Sequence, residues 1–294
     1  MRSRLHLLFL VFLSSCLSAC LSGCMSMEIG EGNFIHPDSR SGYKAKEKFD
    51  QTALQAILPG ANLLEHRLST ADGQTLRGIS LTPAGATDSE AGVTVLYFGG
   101  NMFHLDRSAG QLATALHACG INLYVFDYRG YGRSSGEPEV ANMQSDALQI
   151  YDYVRQQSKA KLIVHGQSLG SFMAAHVAQN RQADGLVMES TANNAYEWAM
   201  ANNPWFARPF VSIELSPPLK NIDNAIALAA YRGNSLVLMG DKDRVTPVEL
   251  GQKVFAAIPA GNKYQFVSPG GDHNGLLLRP DVQAAYCRFV KRLK

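Results

Sequence analysis

Short, unbroken apolar runs alternate with amphipathic stretches along most of this chain. Six such runs, VTVLYF (93–98), INLYVFD (121–127), KLIVH (161–165), GLVME (185–189), SLVLMG (235–240) and KYQFVS (263–268), are rich in β-branched and aromatic residues. That pattern predicts strands covered on both faces. Two earlier runs, LEHRLST (64–70) and TLRGISLT (75–82), flank Asp72-Gly73 and predict a hairpin. Helical periodicity fills residues 109–118, 143–157, 169–180, 248–257 and 281–294, the last behind Pro280. Alternation of strand and helix predicts a mainly parallel central sheet with helices on both faces.

Two stretches break the alternation. Residues 190–234 form one long excursion carrying Trp198, Trp205, Phe206 and Phe210 with Pro204, Pro209, Pro217 and Pro218, and read as a short cap near the site. Residues 24–50 are polar and punctuated by Gly and Ser, as expected of a tether leading to a folded body over 51–294. Ahead of them, Arg2 and Arg4 precede the apolar run of residues 5–13 and then small residues, the layout of an export signal over 1–23. That run is too short to span a bilayer, which takes about 20 residues.

Composition narrows the function classes. The 294 residues, 46% hydrophobic and 18% charged, suffice for one large core. Lys and Arg number 27 against 25 Asp and Glu, and removal of Arg2 and Arg4 leaves the chain near neutrality, which argues against a nucleic-acid partner. Beyond the signal, two cysteines remain, Cys119 and Cys287. They are too few for a disulfide scaffold; the sequence leaves their pairing open and favours two buried, unpaired thiols. No Cys or His cluster has metal-ligand spacing, so neither a metal nor a cofactor is expected.

The pattern Gly-x-Ser-x-Gly occurs twice, as Gly132-Arg133-Ser134-Ser135-Gly136 and Gly166-Gln167-Ser168-Leu169-Gly170. A nucleophile elbow needs a strand running into the serine and a helix leaving it. KLIVH and LGSFMAAHVAQNR supply both for Ser168, whereas Ser134 sits in a Gly-rich loop. A serine hydroxyl also needs a base to take its proton and an acid to orient that base. His273, in Gly270-Gly271-Asp272-His273-Asn274, lies beyond Ser168 and outside the helix that follows it. His104 and His176 read as packing or surface residues.

The Ser168 elbow, His273 and Asp127-Tyr128-Arg129-Gly130-Tyr131-Gly132-Arg133-Ser134 together resemble the lipase, esterase and acyl-thioesterase branch of the α/β-hydrolase superfamily. That branch includes lid-poor members that deacylate lipidated proteins, and the resemblance runs from about residue 64 to the C-terminus. It implies the chain order nucleophile, acid, histidine. In Gly240-Asp241-Lys242-Asp243-Arg244-Val245-Thr246-Pro247 the family's Gly-x-x-Asp-x-x-Val-Pro placement then implies Asp243 as the acid, with Asp241 the alternative. Glu189 reads as a structural residue at a strand end. For the oxyanion, the resemblance implies the backbone N–H of Leu169 and one from Gly99-Gly100-Asn101-Met102, either Asn101 or Met102. Gly99 stands where the family has histidine, which puts in doubt how this turn is braced.

Leu21-Ser22-Gly23-Cys24 resembles the lipobox of bacterial lipoproteins, and Leu17-Ser18-Ala19-Cys20 is nearly as close. The resemblance implies acylation of Cys24, or alternatively Cys20, and a membrane tether facing the periplasm, at the outer rather than the inner membrane. The expected function is hydrolysis of carboxylic esters or thioesters through an acyl-enzyme, on a small or lipid-like acyl substrate. A serine peptidase and a non-catalytic binding lipoprotein are the alternatives.

Overall fold

The computed structural model describes residues 25–85, 92–206, 208–259 and 261–294. In chain order the elements are β1 (Met25–Ile29), α1 (Glu31–Phe34), α2 (Asp38–Ser41), α3 (Gln51–Ile57), β2 (Asn62–Ser69), β3 (Thr75–Thr82), β4 (Val93–Phe98), α4 (Leu105–His117), β5 (Asn122–Phe126), α5 (Val140–Gln157), β6 (Lys161–Gln167) and α6 (Leu169–Asn180). There follow β7 (Gly185–Glu189), α7 (Ala195–Asn202), β8 (Val211–Leu215), α8 (Pro217–Lys220), α9 (Asn224–Leu228), β9 (Asn234–Gly240), α10 (Val248–Ala257), β10 (Lys263–Ser268) and α11 (Pro280–Lys291).

Eight strands form the central sheet in the order β10-β9-β7-β6-β4-β5-β3-β2. Pairing is parallel from β10 to β5, and the β2–β3 hairpin is added antiparallel at one edge. The unbroken apolar runs are explained by burial on both faces. In β4, Val93, Val95 and Tyr97 enter one core while Leu96 and Phe98 enter the other. The first of these cores is capped by α4 and α11, the second by α5, α6 and α10. On α4, Leu105, Ala109, Leu112, Ala113 and Leu116 make the single buried stripe that such a layer requires.

Two expectations are corrected. Cys119 and Cys287 form a disulfide, with Cα atoms 4.9 Å apart across a sequence separation of 168. The end of α4 and the middle of α11 lie over the same sheet face, so two thiols remote in sequence become neighbours. Residues 25–50 are also no free tether. β1 pairs in parallel with β8, from Met25 beside Val211 to Ile29 beside Leu215. Past it, Phe34, Ile35 and Phe49 are buried, and the Asp38 carboxylate accepts hydrogen bonds from His104 Nε2 at 2.6 Å and from the Gly132 N–H at 2.8 Å. Asp38 and His36 are thus hydrogen-bonded to the body, while residues 44–48 remain exposed. The expected export signal and the cysteines of its lipoboxes, Cys20 and Cys24, lie outside the described residues.

Candidate active site

Three loops leave the sheet at the C-terminal ends of β6, β9 and β10, and a parallel sheet brings those ends together. The sharpest turn follows β6. Ser168 takes φ 53° and ψ −118°, a conformation that side-chain-bearing residues rarely adopt. The glycines on either side are required by close backbone approach. A Cβ on Gly166 would lie 2.3 Å from the carbonyl oxygen of Gly170, and one on Gly170 would lie 2.1 Å from that of Phe98. With the turn so tight, the Ser168 hydroxyl stands clear of the sheet and α6 starts at the next residue.

Ser168 Oγ lies 3.0 Å from His273 Nε2, and His273 Nδ1 lies 2.9 Å from Asp243 Oδ2. A carboxylate can only accept, so Nδ1 carries the proton and donates to Asp243, leaving Nε2 as acceptor for the serine O–H. Asp243 is nearly fully buried. Burial pushes its carboxyl up, but the hydrogen bond and charge of His273, together with the N–H and hydroxyl of Thr246, outweigh it and hold the group below the usual carboxylate range. It therefore stays ionised at neutral pH. Asp243 Oδ1 accepts from the N–H groups of Val245 and Thr246, and the Thr246 hydroxyl donates to Oδ2 at 2.7 Å. Behind the imidazole, the Ser190 hydroxyl donates to the carbonyl of His273 at 3.1 Å.

The other candidates are placed elsewhere. Asp241 accepts from the Gly270 N–H at 2.6 Å and shapes the histidine loop. Glu189 pairs with His165 at 3.0 Å in the core. Ser134 donates to the carbonyl of Asp127 and accepts from the Arg77 N–H, which makes it a structural residue of its loop. In that same loop Arg129 makes a bidentate pair with buried Asp146, at 2.6 Å through each nitrogen. Asp127 accepts from the N–H groups of Leu105 and Arg133, and burial pushes its carboxyl up to about 7.

A pocket of about 190 Å³ opens over Ser168 and His273. Its floor includes Gly100, Asn101, Gln167 and Leu169, and its apolar walls are Phe34, Phe172, Trp198 and Val245. Of the two oxyanion candidates on the turn after β4, Asn101 lines the pocket beside Leu169, while Met102 is turned to the surface. The bracing of that turn without the family's histidine is resolved by side chains. Asn101 Nδ2 donates to the Phe34 carbonyl, Asn101 Oδ1 accepts from the His36 N–H and the Tyr131 hydroxyl, and the Tyr128 hydroxyl donates to the Gly99 carbonyl.

Residues 89–224 match the family model described as Serine aminopeptidase, S33. The uncharacterized protein Rv2307c of Mycobacterium tuberculosis is 30% identical over 211 residues, 70% of this chain and 71% of that protein. The chain belongs to the α/β-hydrolase superfamily. The lysophosphatidylserine lipase of Danio rerio is 28% identical over 213 residues, covering 62% of this chain and 53% of the fish protein. Among solved structures, the esterase Pf2001 of Pyrococcus furiosus superposes with a TM-score of 0.62 at 18% identity, over 88% of this chain and 97% of that one. An acetyl xylan esterase from Paenibacillus sp. R4 gives 0.63 at 17%, over 80% and 85%. Both likenesses are of fold.

Within this hydrolase, sequence reasoning passed over Phe34, Thr246 and Ser190. The turn that places Thr246 had a readable signal, since an Asp side chain commonly accepts from the backbone N–H groups that follow it, as Asp243 does from Val245 and Thr246. Phe34 had none. It reaches the pocket only because β1 and α1 fold back over it, where its ring meets Trp198 edge-on at 5.1 Å between centroids.

Proposed function

We propose that this hydrolase cleaves carboxylic esters or thioesters through an acyl-enzyme on Ser168. The observation that carries the reading is the Ser168–His273–Asp243 relay, at 3.0 and 2.9 Å, on the floor of an apolar-walled pocket. In the first half-reaction His273 Nε2 takes the hydroxyl proton as Oγ attacks the acyl carbon. Asp243 holds the ring in that tautomer and stabilises the imidazolium. The N–H groups of Leu169 and Asn101 receive the oxyanion, a term of about 2.7–4 kcal/mol per donor. His273 then protonates the departing alkoxide or thiolate. In the second half-reaction it takes a proton from water, which attacks the acyl-enzyme and releases the carboxylic acid.

The pocket lining favours acyl substrates over amino-terminal peptides. Among the described residues it contains no Asp or Glu to pair with a peptide's α-ammonium group, and Phe34, Phe172, Trp198 and Val245 suit a hydrocarbon chain. The lipase and esterase names carried by relatives agree with this class. A serine aminopeptidase is the second reading, since that is how the matching family model is described. A panel of ester, thioester and aminoacyl-amide substrates separates the two, and turnover confined to the amides overturns the ester reading. Failure of Ser168 to react with a fluorophosphonate probe would favour a non-catalytic binding protein.

The protein is further proposed to be a lipid-anchored component of a bacterial envelope, acylated at Cys24 or alternatively Cys20, facing the periplasm and at the outer membrane. The Cys119–Cys287 disulfide supports an oxidising compartment. No helix among the described residues is long and apolar enough to cross a membrane. Cys24→Ala should abolish labelled-palmitate incorporation and release the protein into the soluble periplasmic fraction. Label that survives Cys24→Ala but not Cys20→Ala moves the site one tetrapeptide earlier. Label that survives the double substitution removes the anchor.

A further inference from the structure

The exposed large aromatic residues among those described all lie in the cap segment: Tyr196, Trp205, Phe206 and Phe210. Trp205 is 79% exposed, Phe206 63% and Phe210 55%. Single exposed apolar side chains are ordinary, but three bulky rings within six residues, two of them edge-to-face at 6.0 Å, form a patch. Arg208 lies within this segment, and the acids nearest to it in sequence are Glu197 and Glu214, the latter beside Glu28 on the β1–β8 ribbon. Exposed rings of this kind, with Arg208 among them, match the interfacial zone of a bilayer.

Two further observations fix where the patch points. It begins three residues after Asn202, whose side-chain amide donates to the carbonyl of Val245 at 2.9 Å, and Val245 lines the pocket. The Arg208 guanidinium donates to the carbonyls of Ala201 and Asn203, so the loop is fastened to the end of α7. The patch therefore flanks the pocket mouth. It also flanks Met25, the first described residue, which is in register with Val211, the residue after Phe210. Cys24 is joined directly to Met25, and successive Cα atoms are about 3.8 Å apart. An acyl anchor on Cys24 would enter the bilayer at the end of the β1–β8 ribbon where these rings are exposed.

We propose that Trp205, Phe206 and Phe210 seat in the headgroup region of the bilayer that holds the anchored N-terminus. The pocket mouth at Val245 then receives a lipid-like acyl substrate from the membrane plane. This inference rests on the lipid-anchor reading above. With β1 joined to the body, the domain is held against the membrane by the ribbon.

The test uses the lipidated protein reconstituted into phosphatidylethanolamine/phosphatidylglycerol vesicles, part of whose acyl chains are brominated. The chain has two tryptophans, so the signal of Trp205 is the difference between the parent and Trp205→Phe. Trp205 emission should shift to shorter wavelength and be quenched by the brominated chains. The triple variant Trp205→Ser, Phe206→Ser, Phe210→Ser should hydrolyse a soluble short-chain ester at the parental rate. On a long-chain ester carried in the vesicles it should be slower by about tenfold, the factor that burial of even one partly covered ring contributes. Unquenched Trp205 in vesicle-bound, palmitate-labelled protein overturns the proposal and leaves the anchor standing. If Cys20 and Cys24 take no label, the anchor reading fails, and the unlipidated chain decides the patch by itself: quenching on added vesicles supports it, and no quenching overturns it. Burial of Trp205 on concentration-dependent self-association without lipid makes a second copy the occupant and also overturns it. The fluorescence readout holds even if no ester is turned over.

Discussion

The C-terminal edge of the sheet and the strap of residues 25–50 meet at one pocket, yet they are specified in opposite ways. At the sheet edge, Ser168, Asp243 and His273 each follow a strand whose apolar run is complete in itself. Topology then gathers the three loops. The strap has elements of only four and five residues, and although Met25-Ser26-Met27-Glu28-Ile29 alternates apolar and polar positions, so short a run does not say what it pairs with. It is held by distant partners: β8 beside β1, Asn101 beside Phe34 and His36, His104 beside Asp38, and Asp106 accepting from the Phe49 N–H at 2.7 Å. A polar sequence signals a solvated chain only where its polar groups lack partners in the fold.

The sharpest way to break this comparison is at the serine. Ser168→Ala should lower kcat by about 10⁶-fold, the scale seen when the nucleophile of a coupled triad is removed. The fold should be kept, as followed by circular dichroism, while fluorophosphonate labelling is lost. Ser134→Ala should turn over substrate at the parental rate, while losing about 1 kcal/mol of stability for its two backbone hydrogen bonds. Equal catalytic losses in the two variants would mean the elbow had been read on the wrong motif.

Next comes the acid. Asp243→Asn should lower kcat by up to about 10⁴-fold, because an amide no longer imposes the tautomer in which Nε2 accepts. Asp241→Asn removes a carboxylate that touches only the Gly270 N–H among the described contacts, and should stay within about tenfold of the parent. A reversed order of the two effects would shift the functional loop by two residues. The sign of the pH effect follows from the lowered pKa of Asp243. Its ionised form is favoured in the fold, so its contribution to stability is complete above the unfolded value of 3.8 and is lost as pH falls through the lower folded value.

Much of the architecture was legible because local pattern and burial agree. β4, β7, β10, α6 and α10 begin and end where the apolar runs and helical period place them. Helix starts were less legible where a distant carboxylate supplies the cap. α4 begins at Leu105, ahead of residue 109, because Asp127 accepts its N–H, and α5 begins at Val140, ahead of 143, because Glu31 accepts that N–H at 2.6 Å. Motif order singled out Ser168, Asp243 and His273, which the fold brings together, and the aromatic excursion held Trp198 of the pocket wall, but Phe34 was not legible, since strand pairing with the cap brings it there. The disulfide escaped because only the packing of α4 and α11 on one sheet face brings its two cysteines together.

That disulfide provides a test of intermediate size. Closing a loop of 168 residues restricts the unfolded chain, and removing such a link lowers stability by about 2–5 kcal/mol. Reduction, or paired Cys119→Ala and Cys287→Ala, should lower the Tm by on the order of 10 °C. The Ser168–His273 geometry lies at the loop ends of the strands, so activity at 25 °C should persist. A Tm unchanged in the double variant would mean that the link contributes nothing to stability.

The smallest expected effect probes the strap itself. Phe34 is buried against Trp198 and Phe172 and forms one wall of the pocket, yet it belongs to a segment held by β1, Asn101 and Asp38. Phe34→Ala removes apolar surface that an acyl chain would touch but leaves the relay intact. kcat/KM for a medium-chain ester should fall about tenfold, as expected for the loss of one to two methylene contacts, while an acetyl ester too short to reach the wall stays within about twofold. The same change removes a ring that pins the strap, so amide exchange of residues 26–35 should accelerate with little change in the exchange of β6 or β9. Equal losses for both esters would mean that Phe34 supports the relay. Faster exchange with no loss for either ester would mean that the strap covers the pocket without contacting the substrate.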